Sequence, residues 1–168
     1  EFFVQMLLSQ TSLECNAPMN LVMIGNDGRP AQKPLQQILV EWVRARLETV
    51  RRRTQARLNK VNARLHILEG RTKAIDNIDR VIEIVRFEDN PKEALMAEFG
   101  LTELQAEDIL ELRLRQLAKL EYERVEEEMK KLNAERETLE KILADEKTLK
   151  NVVAKETKEA AKLYGDAR

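Results

Sequence analysis

Two stretches of this chain carry an apolar period of seven, and the remaining elements are arranged around them. In the stretch Trp42 to Leu68, Leu47, Val50, Thr54, Leu58, Val61, Leu65 and Leu68 recur at steps of 3, 4, 4, 3, 4 and 3. This is an a/d seam with one stutter between Thr54 and Leu58, where two successive four-residue steps locally unwind a supercoil. In the second stretch, Ala118, Tyr122, Val125, Met129, Leu132, Arg136, Leu139 and Leu143 alternate steps of 4 and 3 without a break. Each run of about 26 residues makes a helix about 40 Å long. Two seams of matched length, about 50 residues apart, predict a mainly α chain. Its core is a long antiparallel coiled-coil hairpin with a small helical module at the tip.

The flanking residues add shorter elements. Residues 1–13 are helical by pattern and stop before Asn16-Ala17-Pro18, where the proline disfavours α geometry in the residue ahead of it. Met19 to Ile24 predicts a strand, Gly25-Asn26-Asp27-Gly28 a hairpin turn, and Arg29 to Lys33 a short return strand. A lone hairpin is marginal in water, so it needs cover, either from the first long helix or from something beyond this chain. Pro34 suits the N1 position of that helix, and Leu35, Ile38, Leu39, Trp42 and Val43 give it an apolar stripe that places Trp42 in a core. Gly70 is read as its C′ residue.

Three short helices follow. Ile75, Ile78, Ile82 and Val85 mark the first. Asn90-Pro91-Lys92-Glu93 opens the second with a cap, an N1 proline and a capping-box acid, and Gly100 closes it. Thr102-Glu103-Leu104-Gln105 is a capping box for the third. That third helix has two apolar faces, Ala106, Leu110, Leu114 and Leu117 on one and Leu104, Ile109 and Leu112 on the other. A module of under 50 residues buries one of them; the other calls for a partner, most simply a second copy of the chain, the alternative being that the base of the coil covers it. The candidate dimer interface is therefore Leu104, Ile109 and Leu112, or the opposite face with Leu110 and Leu114. A last helix, Lys147 to Tyr164, is apolar at Leu149, Val152, Val153, Ala160 and Leu163 and ends at Gly165. The expected division is 1–34, 35–70 for the first long helix, 71–117 for the tip module, 118–146 for the second long helix and 147–168 for the terminal helix.

Charge sharpens the pairing. Between Arg44 and Arg64 eight cations face one anion, a balance of +7, whereas Glu121 to Glu140 holds eight anions and four cations, a balance of −4. Side by side the two helices are complementary, which selects partner and orientation more than it adds stability. The whole-chain charge of −1 conceals this asymmetry. Charged residues at 35% and aromatics at 4% suit long solvated helices better than a compact enzyme core. The lone Cys15 excludes an internal disulfide, fits a reducing cytoplasm and is expected to be at least half-buried. No apolar run approaches the roughly 18 residues that span a bilayer, and no signal peptide is evident. Opening at Glu1 within an apolar stretch, the chain is expected to be a piece of something larger.

The residues offer little catalytic chemistry. No glycine pattern matches a phosphate loop. His66, the sole histidine, leaves no His cluster and no Ser-His-Asp triad and is expected to pack or cap near a helix end. Glu126-Glu127-Glu128 reads as a solvated helix face, and Tyr122 as a packing residue. Arg51-Arg52-Arg53 has two readings: pairing with the acidic helix, or sequence-independent neutralisation of DNA phosphates.

Several motifs resemble one family. Arg51-Arg52-Arg53-Thr54 with Leu58, Lys60, Arg64 and Leu65-His66-Ile67-Leu68-Glu69-Gly70 resembles the A subunits of bacterial type IIA DNA topoisomerases. So do Asn77-Ile78-Asp79, Leu101-Thr102-Glu103, Gln105-Ala106, Ile109-Leu110-Glu111-Leu112-Arg113-Leu114, Leu120-Glu121 and Tyr164-Gly165-Asp166. Met23-Ile24-Gly25 and Asp27-Gly28-Arg29-Pro30-Ala31 look more like the topoisomerase IV branch than the gyrase branch. The resemblance implies that residues 1–34 end a tower domain, that the hairpin is the coiled coil below the DNA gate, and that residues 71–117 form the C-gate, where two A subunits meet and part. The family's nucleophilic tyrosine sits in an Arg-Tyr-Thr context that neither Tyr122 nor Tyr164 shares, so this chain is expected to be inert alone. For the whole enzyme the resemblance implies Mg, ATP, a transported DNA duplex and a B subunit; for this chain, no cofactor.

Overall fold

The computed structural model describes residues 2–15, 18–112 and 119–166, with the backbone alone at 119–121. Leu114, Leu117 and Ala118, on which three expectations fall, lie outside the described residues. Two compact units, residues 1–46 and 47–168, divide the chain, and the longest helix contributes to both.

The first unit holds α1 (Phe2–Gln10), β1 (Val22–Ile24), β2 (Pro30–Gln32) and the start of α2 (Leu35–Asp76). The strands pair antiparallel, with Val22 opposite Gln32 and Ile24 opposite Pro30, as the Asp-Gly turn predicts. Gly28 N–H donates to the Gly25 carbonyl at 3.0 Å. At φ 73° Gly28 occupies the left-handed region that favours glycine. The hairpin is tied to α2 by polar contacts. Lys33 Nζ donates to both Glu41 carboxylate oxygens at 2.7 Å, and Asn26 Nδ2 donates to the Glu41 carbonyl at 3.1 Å. A Cβ at Gly25 would fall 2.0 Å from Lys33 Nζ, so a side chain there would displace the end of that lysine from its present place in the clamp.

Two expectations fail in this unit, and a third is met to within one residue. Trp42 is 51% exposed, because none of the described residues closes over that face of α2. Cys15 is exposed. Pro34 precedes α2, and its carbonyl accepts from Ile38 N–H at 3.2 Å, which puts it at the cap rather than at N1.

The second unit is an antiparallel helical hairpin. Along α2, Val50, Thr54, Leu58, Val61, Leu65 and Leu68 are all buried, the seam that the heptads predict. Its partner is α6 (Lys119–Ala144), where Tyr122, Val125, Met129, Leu132, Arg136, Leu139 and Leu143 are half-buried. Arg57 pairs with Glu135, and one heptad further along α2 Arg64 pairs with Glu128, one heptad earlier on α6. Equal and opposite steps mean antiparallel helices in one register, and each arginine meets its carboxylate through two nitrogens.

Helix α2 does not end at Gly70. It continues to Asp76, with Gly70 buried. A Cβ at Gly70 would sit 2.9 Å from Gln105 Cβ, so the glycine serves close packing and not helix termination. Beyond it come α3 (Ile78–Phe87), α4 (Pro91–Phe99) and α5 (Glu103–Leu110). They share a core of Ala74, Val81, Ile84, Leu95, Leu101, Ala106 and Ile109. Ile75 belongs to α2, and α3 buries Val81 and Ile84, while Ile82 and Val85, which marked the helix in the sequence, stay exposed. Pro91 opens α4 as predicted, without a side-chain bond from Asn90, and Gly100 closes it at φ 59°. A cap at Asp145, whose carboxylate accepts from Lys147 and Thr148 N–H, separates α6 from α7 (Glu146–Tyr164). Leu149 and Val153 of α7 bury Val50 of α2.

Candidate functional site

The tip module is fixed to α2 through one polar residue. Gln105 is 5% exposed, and its amide Nε2 donates to the His66 carbonyl at 2.6 Å. Its Oε1 accepts from Thr102 N–H at 3.0 Å, closing the capping box that the sequence predicts. His66 Nε2 lies 2.7 Å from Thr102 Oγ1, so the histidine packs and braces as expected. Beside this contact Arg71 forms a two-pronged pair with Asp108 at 2.6 and 2.7 Å, which holds the guanidinium proton more tightly than usual. Arg80 links α3 to α4 through both oxygens of Glu98, and its pKa is raised mainly by that bond. Lys92 bridges Glu103 and Glu107. A buried apolar core and these ion pairs hold the short helices of the module together.

On that module lies an apolar face that no described residue covers. Ile82 is 47%, Val85 46% and Leu110 37% exposed, and with Ile78 and Leu112 they surround an open hollow of about 240 Å³. The structure thus divides the candidate interface residues. Leu104 and Leu110 face solvent, Leu112 is half-buried, and Ile109 is 6% exposed within the chain's own core. Leu114 lies outside the described residues. Ile78, Ile82 and Val85 were missed as surface residues. Their spacing announced an apolar stripe, but α3 has a second stripe, and three-dimensional packing selects between the two.

The arginine run is also divided. Arg53 pairs with Glu156 of α7. Among the described residues, Arg51 and Arg52 form ion pairs only with Glu48 of their own helix, at 3.6 and 3.7 Å, and their side chains are 54% and 74% exposed. No group of three or more metal-binding side chains occurs among the described residues. Asp76 and Glu126 push the Tyr122 hydroxyl above its ordinary pKa, the opposite of what an activated nucleophile needs.

Comparison with known proteins gives a consistent family. Residues 2–158 match the family described as the A subunit of DNA gyrase/topoisomerase IV. The chain is 54% identical over 166 residues to the A subunit of DNA topoisomerase 4 from Neisseria gonorrhoeae, covering 99% of this chain and 22% of that protein. Against the Escherichia coli K12 protein of the same name the identity is 55% over 162 residues, with 96% and 22% covered. Against that of Caulobacter vibrioides it is 42% over 137 residues, with 82% and 18% covered. The chain therefore spans about a fifth of the length of the curated relatives it matches. The antiparallel hairpin, its capping-boxed tip module and this match over nearly the whole sequence place the chain in the family of DNA gyrase/topoisomerase IV A subunits.

Proposed function

We propose that the chain is the coiled-coil and C-gate region of a topoisomerase IV A subunit, and that two copies meet through the bare face of the tip module. The whole enzyme, by this reading, changes DNA topology by ATP-dependent double-strand passage with a B subunit in the cytoplasm; this chain contributes no catalytic residue. It holds the exit closed while DNA is cut elsewhere and opens it to release the transported duplex. The face formed by Ile78, Ile82, Val85, Leu110 and Leu112, which no described residue covers, carries the reading, since it is a contiguous apolar surface beside the module's buried core. The exposed Arg52 favours a transient contact of the same helix with DNA phosphates, with Arg51 beside it shared with Glu146 of α7, whose carboxyl Lys150 and then Arg51 hold below its ordinary pKa.

Val85→Asp and Leu110→Asp separate this reading from a structural coiled-coil scaffold that does not pair through its tip. Both sites are exposed, so helicity by circular dichroism should be preserved, and light scattering should report a single chain in place of a dimer. Trp42→Asp, on the other exposed apolar face, should leave the dimer unchanged. A dimer that survives both tip changes and is lost with Trp42→Asp would contradict the gate.

A further inference from the structure

Helix α3 carries one acid and one base at the two ends of the bare face. Asp79, Ile82 and Arg86 follow one another at steps of 3 and 4, so they form a row along the helix beside Ile78 and Val85. All three are exposed, and Arg86 also lines the hollow. The neighbouring cations Arg71, Arg80 and Lys92 are committed to carboxylates of the module. Neither Asp79 nor Arg86 forms an ion pair among the described residues, and the Arg86 guanidinium lies over the Phe87 ring, 5.4 Å from its centroid.

We infer that α3 of one copy packs antiparallel on α3 of a second copy about a two-fold axis at Ile82, with Asp79 of each copy paired to Arg86 of the other. This rests on the proposal that two copies meet through the bare face, and adds the register and the residues that make the contact selective. A two-fold contact uses the same patch twice, so a residue that touches a second residue across it is touched by that residue's twin in return. The row meets this condition alone: from Ile82 the acid stands three residues toward one helix end and the base four toward the other. Turned end for end over its copy, each acid comes to a base, with Ile82 against Ile82 between them. The two pairs then stand about 10 Å apart and flank the apolar strip, a charged rim around an apolar centre. A parallel pairing in register sets Asp79 by Asp79 and Arg86 by Arg86, so the charges oppose it. One acid and one base give the row no net charge, which favours a copy of itself over a partner of single sign.

The test is a charge exchange. Asp79→Arg and Arg86→Asp are made separately, read by sedimentation velocity against the unaltered chain, and then mixed in equal amounts. Each variant alone brings like charges together twice, so its dimer dissociation constant should rise about tenfold or more. Mixing restores both pairs, and native mass spectrometry should find the mixed dimer in large excess over either homodimer. Circular dichroism accompanies each mass. Should either reversal lose helix, the milder Asp79→Asn and Arg86→Gln decide instead: each should weaken the dimer, and the double variant should lose no more than the worse single one, because both remove the same pairs. An unaltered chain that dimerises, with single variants just as tight, would overturn the pairing and leave the gate standing. Weakened reversals that show no preference for each other, or additive losses in the neutral variants, would overturn it too. A monomeric unaltered chain would overturn the gate reading and the pairing with it.

Discussion

Residues 35–43 and 50–68 belong to one continuous helix and carry similar apolar stripes, yet they end in different surroundings. Val50, Val61, Leu65 and Leu68 are at most 2% exposed, while Leu35, Leu39, Trp42 and Val43 are 44–61% exposed. Periodicity is present in both. What differs is the opposite element. Along the second stretch, α6 supplies a matching seam, and its carboxylates meet the arginines that flank the α2 seam at one-heptad intervals. Along the first, the chain supplies a hairpin held by the Lys33–Glu41 clamp, and the stripe beside it stays bare. An apolar stripe thus announces that a face seeks cover, and only a second element of matched length and charge says where the cover comes from.

The sharpest way to break this comparison is to shorten one residue from each stretch. Leu68→Ala should destabilise the chain by about 2–5 kcal/mol, because it opens a cavity in a fully buried seam. Leu39→Ala should stay within about 0.5 kcal/mol, since an exposed side chain leaves no cavity behind. Chemical denaturation of the two variants measures the difference directly, and equal losses would mean that residues 35–43 are packed in solution. Next in size, Gly70→Ala should cost about 1–3 kcal/mol in the same assay, even though alanine favours helix, because its methyl meets Gln105. A stabilised Gly70→Ala would show that α5 does not dock there.

The smallest expected effect is electrostatic. The side-chain bonds from Arg64 and Arg57 hold Glu128 and Glu135 below the usual carboxylate range. Folded-state values below the unfolded value of about 4.3 mean that these groups stabilise the hairpin above that pH, and that the contribution is lost as pH falls through the folded values. Thermal unfolding followed from pH 7 to pH 3 should therefore show Glu135→Gln losing less stability than the unaltered chain. High salt should shrink that gap.

Much of the fold was legible because its signals are local or periodic. The heptads of α2 gave the seam residue by residue, Asp27-Gly28 gave the hairpin, and Thr102 with Gln105 gave the start of α5. Single-sign charge in the two long helices anticipated Arg57–Glu135 and Arg64–Glu128. Several of the failures share one cause, a residue type with two uses. Gly70 has the look of a helix stop and serves as a docking notch, a role visible only once Gln105 lies against it. On α3 the stripes Ile78-Ile82-Val85 and Val81-Ile84 both fit a helix period, and α4 and α5 decide which is buried. Ile109 was grouped with Leu104 by spacing, but it turns into the core alongside Ala106 while Leu104 faces out. Of the candidate interface residues, Leu104 and Leu110 are exposed and Ile109 is buried, and the exposed residues of α3 beside Leu110 carried no such expectation. Arg53 shows the same limit, because its partner Glu156 lies 103 residues away on a helix whose packing no local pattern foretells.

The mass of the unaltered chain in solution bears most directly on the gate reading. Sedimentation velocity across a wide concentration range should give a species of twice 19.5 kDa that persists on dilution. A species of 19.5 kDa at every concentration would contradict it and leave the bare face of the tip without its proposed partner.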